Sequence, residues 1–194
     1  MKRLISLSIL SIILVSCTGG IPPESSRPPK GNPNGVVVIK EYSDFECPAC
    51  SSVHKGVVGP IMEEFSNEVR FEFKHFPLRA IHRFAMDAAE SSECASDQGK
   101  FWEFVDLAFE NQNELSYDSL LSWADQLGLN VEQFERCWKS HAKRKVVLAD
   151  YEEGRGLDVA GTPTFFVNGK KVQVGYDTLK AAIDEELKKF QQRL

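Results

Sequence analysis

Apolar positions in the first third of the chain predict two β-strands with a helix between them. Residues 36–42, VVVIKEY, form a nearly continuous β-branched run, which is typical of a strand buried on both faces. Residues 69–76, VRFEFKHF, alternate between apolar and polar side chains and predict a second strand. Pro48 predicts the first turn of a helix that extends to about Phe65, with a break or kink at residues 59–60.

The middle of the chain has the apolar spacing of helices. Ser116 is a predicted N-cap, Gly128 a predicted helix end, and Asn130 opens a sequence that resembles a capping box. The aromatic residues between 101 and 111 fall on one helical stripe, so we interpret them as core rather than as a cofactor site. The predicted helices are 79–98, 101–111, 116–127, 131–140 and one more that ends near residue 153.

The hydrophobic pattern changes again near the C-terminus. Residues 164–167, TFFV, predict a short strand, and residues 170–174 predict its partner. Asn168-Gly169 between them is the strongest two-residue signal for a β-hairpin. A final amphipathic helix is predicted from about Asp177 onward.

The first 16 residues have the pattern of a secretory signal peptide. Lys2 and Arg3 precede an apolar run of about 12 residues, whereas a transmembrane helix needs roughly 20. The run ends in LVSC, which resembles a bacterial lipobox and predicts that Cys17 becomes the lipid-modified first residue of the mature protein. An ordinary signal peptide that happens to contain a cysteine is the alternative.

The rest of the chain divides into a predicted tether and one predicted domain. Residues 17–34 are rich in Pro, Gly and Ser, which predicts a semi-extended tether. Residues 35–194 are long enough to form a single domain with its own core. The net charge of the chain is −5, or −7 without Lys2 and Arg3. An acidic domain is a poor candidate for binding nucleic acid.

Five cysteines, at positions 17, 47, 50, 94 and 137, indicate disulfide chemistry in an oxidising compartment. If Cys17 is lipidated, an even number remains. Zinc is disfavoured because the sequence has no second CxxC and no histidine pair at ligand spacing, so we expect no metal and no cofactor. Cys94 and Cys137 are expected to form a structural disulfide; a second redox pair and two buried free thiols are the alternatives.

Cys47 and Cys50 fall where the first predicted strand gives way to a helix N-terminus. Unpaired N–H groups and the helix dipole stabilise negative charge there, which predicts a lowered pKa for Cys47. Residues three apart share a helix face, so the two sulfurs can close a disulfide. A purely structural staple is the alternative, but so short a loop restrains very little chain.

Four stretches, in this order of elements, resemble the DsbA-like thiol–disulfide oxidoreductases. They are YSDFECPAC at 42–50, FKHFPL at 73–78, AMDAAESSECASDQGKFWEF at 85–104 and GTPTFFVNG at 161–169. The resemblance covers residues 35–194. It implies an α/β thioredoxin fold, in which a mixed sheet is flanked by helices and an all-helical subdomain is inserted at about 78–156.

The resemblance also implies roles for individual residues. Cys47 would be the exposed nucleophile and Cys50 its buried resolving partner. Pro163 would be a cis-proline that packs against the disulfide, with Thr162 before it as in isomerase-type relatives. Glu41 would be a buried acid beneath the CxxC that accepts a proton from the resolving thiol.

Several neighbours of the CxxC have more than one interpretation. Lys74 on the second strand could pair with Glu41, or both side chains could face solvent. We interpret His54 as structural rather than catalytic. The dipeptide between the cysteines is Pro-Ala, where the strongest oxidases of the family have Pro-His, which predicts a weaker oxidant.

The function implied is thiol–disulfide exchange on exported proteins at the periplasmic or extracytoplasmic face of a bacterial membrane. Lipid at Cys17 would hold the protein to that membrane, and an unidentified redox partner would recycle the CxxC. We expect a monomer and a disulfide-forming oxidase; a reductase or an isomerase would use the same site. Outside the enzymes, the alternative is a periplasmic thiol, metal or peptide chaperone, although Met62 and Met86 are the only methionines after the signal peptide, which disfavours copper.

Overall fold

A five-stranded mixed sheet lies at the centre of the computed structural model, which describes residues 25–193. The strands are β1 (Lys30–Gly31), β2 (Val37–Ser43), β3 (Val69–His75), β4 (Thr164–Val167) and β5 (Lys170–Val172). They are arranged in the order β1-β3-β2-β4-β5, with β2 and β3 parallel and the other pairs antiparallel. This confirms the predicted α/β class with a mixed sheet.

Eight α-helices surround the sheet in the described part of the chain. They are α1 (Pro48–Val53), α2 (Gly59–Phe65), α3 (Ala85–Ser96), α4 (Phe101–Glu110), α5 (Tyr117–Gln126), α6 (Val131–Lys139), α7 (Arg144–Gly156) and α8 (Tyr176–Gln191). A π-helical turn at His54–Val58 joins α1 to α2, and a 3-10 turn at Gln112–Glu114 follows α4. Helices α3 to α7 lie between β3 and β4 in the chain, as the inserted helical subdomain was predicted to do.

The central strand β2 is fully buried on one face, whereas on the other face Val38 and Lys40 are half-buried and only Tyr42 is buried, so the predicted burial on both faces holds in part. On one face Val37 and Ile39 belong to a core that includes residues of α2 and α8. On the other face the ring of Tyr42 packs edge-on against Phe76 and Phe166. A strand in this position supplies a rigid support for the loop and helix that follow it.

A second core fills the helical subdomain and reaches the CxxC. Cys47 and Cys50 belong to it, together with Phe45 from the loop after β2 and Phe73 from β3. The rings of Phe45 and Phe73 stack with their centroids 5.4 Å apart, and Phe109 of α4 packs against Phe45 at 5.2 Å. The loop that precedes the cysteines is therefore anchored in the core.

The third helix begins later than the sequence predicts, at Ala85 instead of residue 79. The residues before it are held in a turn by Asp44, which accepts hydrogen bonds from the N–H of Leu78 (2.7 Å) and from Nδ1 of His82 (2.8 Å). These contacts come from a residue far away in the chain, so helical periodicity could not show them.

A break or kink was predicted at residues 59–60, and the helix does not end there. The helical path continues from α1 to α2 through the π-helical turn, and Pro60 lies in the first turn of α2, where no N–H is needed. A π-helical turn widens the helix by one residue and accommodates the proline without ending the path.

Part of the predicted tether packs onto the domain. Arg27 donates to Glu93 and to Asp150, each at 2.8 Å, and the indole N–H of Trp102 donates to the carbonyl of Pro28 at 3.0 Å. Strand β1 then pairs with β3. Residues 25–31 are thus an arm of the domain, whereas the predicted signal peptide and Cys17 lie outside the described residues.

The hairpin between β4 and β5 confirms the turn predicted from Asn168-Gly169. The φ angles are +45° and +80°, the left-handed values that a two-residue turn of this type requires. Within residues 25–193 we find no helix that is both long enough and apolar enough to span a bilayer.

Candidate active site

Cys47 is the N-cap residue of α1. Its backbone is extended (φ −80°, ψ 117°), and its carbonyl oxygen accepts the N–H groups of Cys50 (3.0 Å) and Ser51 (3.3 Å). Pro48 occupies the first helical turn, where a missing N–H has no cost. The cysteine therefore lies at the electropositive end of the helix, as its sequence position predicts.

The two cysteines differ in how far they reach solvent. Cys47 keeps 7% of its surface exposed and Cys50 none, whereas Pro48 and Ala49 between them are exposed. Both side chains are free thiols, so the structure describes the reduced protein. Only the sulfur of Cys47 is placed to meet a substrate.

The pKa values of the two thiols are shifted in opposite directions. A hydrogen bond from the Cys50 thiol, together with the N–H groups of Cys50 and Ala49, lowers the pKa of Cys47 to about 5 despite partial burial. Burial raises the pKa of Cys50 well above its usual range, and its hydrogen bond to Cys47 acts in the same direction. Cys47 is thus a thiolate at neutral pH and Cys50 a neutral thiol.

The loop before β4 meets the CxxC from the opposite side. The thiol of Cys47 lies 3.4 Å from the carbonyl oxygen of Thr162, and the peptide bond between Thr162 and Pro163 is cis. The fold therefore brings together four of the predicted site residues, although the two pairs are far apart in the chain.

Glu41 is completely buried on β2. Burial raises the pKa of its carboxyl group to about 8. Ser43 lies two residues further along the same face of β2, and its hydroxyl group lowers the pKa of both Glu41 and Cys50. Even so, neither carboxyl oxygen has a hydrogen-bond partner of standard geometry within residues 25–193. Burial on β2 therefore favours the neutral carboxylic acid.

The predicted pairing of Lys74 with Glu41 is wrong. In the parallel register Lys74 lies beside Tyr42 and Phe73 lies beside Glu41, so Lys74 and Glu41 are on opposite faces of the sheet. Lys74 instead forms ion pairs with two carboxylates of α7, Asp150 at 3.2 Å and Glu153 at 2.9 Å.

Comparison with known proteins is consistent with this arrangement. A family model described as thioredoxin matches residues 26–185. The chain belongs to the thioredoxin family. Its first matched residue lies in the arm that packs on the domain, which supports counting the arm as part of the fold.

Solved structures show the DsbA-like form of the thioredoxin fold. Oxidised BdbD from Bacillus subtilis is 24% identical, with 84% of this chain and 94% of that chain covered and a TM-score of 0.76. A thioredoxin-like oxidoreductase from Silicibacter pomeroyi is 25% identical, with 84% and 93% covered and a TM-score of 0.73. These similarities confirm the predicted thioredoxin fold with an inserted helical subdomain, as in DsbA-like proteins.

Curated relatives match this chain over one part of much longer proteins. The Na⁺/H⁺ antiporter NhaA 1 of Mycolicibacterium gilvum is 35% identical over 150 residues, which are 76% of this chain and 24% of the relative. This thioredoxin-family chain thus spans about a quarter of the length of the curated relatives it matches.

His54 lies in the π-helical turn, one turn after Cys50. Its Nε2 is 2.7 Å from Oδ1 of Asp106, and its ring packs against Phe109 with a centroid distance of 4.9 Å. The imidazole therefore links the π-helical turn after α1 to α4, which fits the structural interpretation.

Sequence reasoning missed three residues that shape the loop before Cys47. Asp44 accepts the N–H of Glu46 at 2.8 Å, Glu46 accepts the N–H of Phe84 at 2.6 Å, and Gln112 donates to the loop's carbonyl groups. Asp side chains in turns commonly accept the backbone N–H of the residue two positions later, so the contact of Asp44 with Glu46 could have been predicted from the sequence. Nothing in the sequence around Gln112 indicates its contact.

The other two cysteines within residues 25–193 form a disulfide that is separate from the CxxC. Cys94 in α3 and Cys137 in α6 are bonded to each other, and both are buried. The bond joins two helices of the inserted subdomain. In the part of the chain that the structure describes, no cluster of three or more His, Cys, Asp or Glu side chains is arranged to hold a metal ion.

Proposed function

We propose that this thioredoxin-family enzyme exchanges disulfides with exported proteins, and that disulfide formation is its main direction. The observation that carries the proposal is the opposite shift of the two thiol pKa values, down for Cys47 and up for Cys50. The accessible sulfur is a good nucleophile and leaving group, and the buried sulfur takes up a proton once it is released.

Formation of a substrate disulfide takes two exchange steps. A substrate thiolate attacks Sγ of Cys47 in the oxidised enzyme, the bond to Cys50 breaks, and Cys50 leaves with the electron pair and takes up a proton. A second substrate thiolate then attacks the substrate sulfur of the mixed disulfide, and Cys47 leaves as a thiolate. Two substrate thiols are oxidised, and the CxxC is reduced by two electrons.

Glu41 is the proposed proton donor to Cys50. With its pKa at about 8, the carboxyl group is mostly protonated at neutral pH, unlike an ordinary glutamate. It can release a proton as Cys50 leaves and take one back when the enzyme is reoxidised. Pro163, beside Thr162, would align the substrate backbone next to Cys47, a role taken from the resemblance to the family.

The stability of the Cys47 thiolate favours oxidation of substrates. A thiolate stabilised in the reduced enzyme makes the reduced form more favourable, and a stable reduced form makes the disulfide a stronger oxidant. The Pro-Ala dipeptide supplies no imidazole for further stabilisation, so we expect an oxidant weaker than the strongest members of the family. A redox partner must return the enzyme to its disulfide form.

Export and lipid attachment complete the proposal. The predicted signal peptide and lipobox cysteine Cys17 support an enzyme held at the extracytoplasmic face of a membrane, where disulfides persist. Because residues 25–31 are bound to the domain, the segment between Cys17 and the domain is shorter than the sequence suggests.

Oxidative folding of a reduced model protein tests the proposed function. The oxidised enzyme should restore disulfides to a reduced, unfolded secreted protein much faster than air oxidation, and Cys50→Ala should accumulate mixed disulfides through Cys47. Cys47→Ala is the control and should do neither. Faster reduction than oxidation under the same conditions would support the reductase alternative, and no exchange at all would support a non-catalytic thiol chaperone.

A further inference from the structure

The side-chain amide of Gln112 connects the helical subdomain to the main chain of the nucleophile. Its Nε2 donates to the carbonyl oxygen of Phe45 at 2.7 Å and to that of Cys47 at 2.9 Å. Because both acceptors are carbonyl oxygens, only the amino end of the amide can face them, which fixes its orientation. Gln112 is half-buried and opens the 3-10 turn after α4.

We infer that Gln112 is a positioning residue for the thiolate of Cys47. The Cys50 thiol does most to stabilise the thiolate, and Thr162 and the N–H groups of Cys50 and Ala49 add to it. How these groups lie around the sulfur depends on the orientation of the peptide groups at Cys47, whose carbonyl oxygen also accepts the Cys50 N–H at 3.0 Å. Gln112 holds the carbonyl group of Cys47 from the helical subdomain, while Thr162 meets its thiol from the other side.

Two other contacts join α4 to the helix that carries the cysteines, but they act further along it. The hydroxyl of Ser51 donates to the carbonyl of Phe109 at 2.9 Å, and His54 pairs with Asp106 at 2.7 Å. Gln112 differs from both because it bonds to the nucleophilic residue itself. Its loss should therefore change the chemistry of Cys47 as well as the packing of the two elements.

The inference rests on the proposed function, since it assigns a role in tuning the same thiolate. Without Gln112, the carbonyl groups of Phe45 and Cys47 lose a shared donor, and the backbone at Cys47 can turn so that the Cys50 thiol and the N–H groups of Ala49 and Cys50 align less well with the sulfur. The pKa of Cys47 should rise toward that of an ordinary thiol. Its rate of attack near pH 5 should fall with the thiolate fraction.

Replacement of Gln112 by Leu, which has similar size and no donor, tests this role. Titration of the reduced variant by thiolate absorbance should show the midpoint of Cys47 moved to higher pH, and alkylation at pH 5 should slow roughly three- to tenfold. Asn113→Leu is the matched control, since Asn113 is an exposed amide in the same turn. Its titration should equal that of the wild type.

A second variant keeps the test decisive if the leucine variant does not fold. Gln112→Glu keeps the length and polarity of the side chain, but its carboxylate can only accept hydrogen bonds, so it repels both carbonyl groups. It also brings a negative charge toward the sulfur, and the midpoint should move further up than with leucine. If Gln112 served only to stabilise the fold, its loss would lower the melting temperature and leave the titration midpoint of Cys47 unchanged. A higher midpoint therefore distinguishes the positioning role from a purely structural one.

The outcomes separate this inference from the proposed function. If the wild type oxidises a reduced dithiol and both folded Gln112 variants titrate like Asn113→Leu, the positioning role is wrong. If the wild type exchanges no disulfides, the proposed function fails whatever the Gln112 variants show. Higher midpoints in both variants of an active enzyme are the expected result.

Discussion

The thiol of Cys47 lies 3.4 Å from the carbonyl oxygen of Thr162, although the two residues are 115 positions apart in the chain. The contact joins the N-terminus of α1 to the loop that precedes β4. The backbone of Thr162 and Pro163 therefore lies beside the sulfur that a substrate thiolate attacks in the proposed reaction. This places the reactive sulfur and the proposed substrate-aligning segment in one site.

Selective alkylation should show that Cys47 is the reactive thiol. Because the pKa of Cys47 is lowered to about 5 and that of Cys50 is raised, iodoacetamide should label Cys47 at neutral pH and leave Cys50 unmodified. The rate should fall as the pH drops through about 5. Mass spectrometry of the reduced protein gives the labelled site.

A Cys47→Ser variant is the control for alkylation and should remain unlabelled. Equal labelling of both cysteines, or a midpoint near that of an ordinary thiol, would contradict the assignment of nucleophile and resolving residue.

Replacing Glu41 by Gln should stabilise the protein at neutral pH and slow the release of Cys50. The carboxyl group has a pKa of about 8 in the folded protein and an ordinary low pKa when unfolded, so its contribution to stability is present at pH 4 and is lost as the pH rises toward 8. Removing the ionisable group should therefore raise the free energy of unfolding by up to roughly 3 kcal/mol at pH 7.

Urea unfolding at pH 4 and at pH 7 measures the effect of Glu41→Gln, with stopped-flow exchange for the rate. Glu72→Gln is the matched control, because Glu72 lies on the neighbouring strand β3 and is only half-buried. An equal stability change at both pH values would show that the carboxyl group does not titrate as the structure implies.

Removal of the second disulfide should destabilise the protein without altering the redox site. The bond between Cys94 and Cys137 closes a loop with a sequence separation of 43, which corresponds to about 4 kcal/mol on the chain-entropy model. The double variant Cys94→Ala/Cys137→Ala should melt on the order of 10 °C lower. Calorimetry measures the shift.

The redox behaviour of Cys47 and Cys50 should be unchanged in that double variant, because the second disulfide joins α3 to α6 and not the CxxC. Loss of thiol oxidation in a variant that still folds would instead make the pair a second redox centre.

Replacing Cys17 by Ser should release the protein from the membrane fraction. Acyl chains contribute roughly 0.8 kcal/mol for each buried methylene, so their loss should free the domain. Fractionation of cells followed by immunoblotting measures the distribution. Cys50→Ala, which leaves the lipobox intact, should stay with the membrane, and a Cys17→Ser protein that also stays there after a salt wash would rule out anchoring by lipid at this residue.

The parts of the fold that depend on local pattern could be predicted from the sequence. The β-branched run of β2, the proline after Cys47 and the Asn-Gly turn each fix their own backbone over a few residues. The CxxC could be placed at a helix N-terminus for the same reason. These predictions need no knowledge of distant partners.

The parts that depend on tertiary partners could not be predicted. Arg27 lies in a Pro-rich segment that suggests a free tether, yet its ion partners are Glu93 and Asp150, which are 66 and 123 positions away. The sequence around Gln112 gives no signal, because its proposed role depends on hydrogen bonds to the carbonyl groups of Phe45 and Cys47, which are far away in the chain. The register between β2 and β3 determines that Lys74 lies on the face of the sheet opposite to Glu41. The alternation of apolar and polar residues along each strand does not give that register.

The equilibrium redox potential of Cys47 and Cys50 against glutathione tests the central claim most directly. The stabilised thiolate predicts an oxidising value, between about −120 mV, as for the strongest oxidases of this type, and about −200 mV at pH 7. Loss of the disulfide can be followed by tryptophan fluorescence or by alkylation and mass. A potential near or below about −270 mV, the value of thioredoxin, would contradict disulfide formation as the main direction.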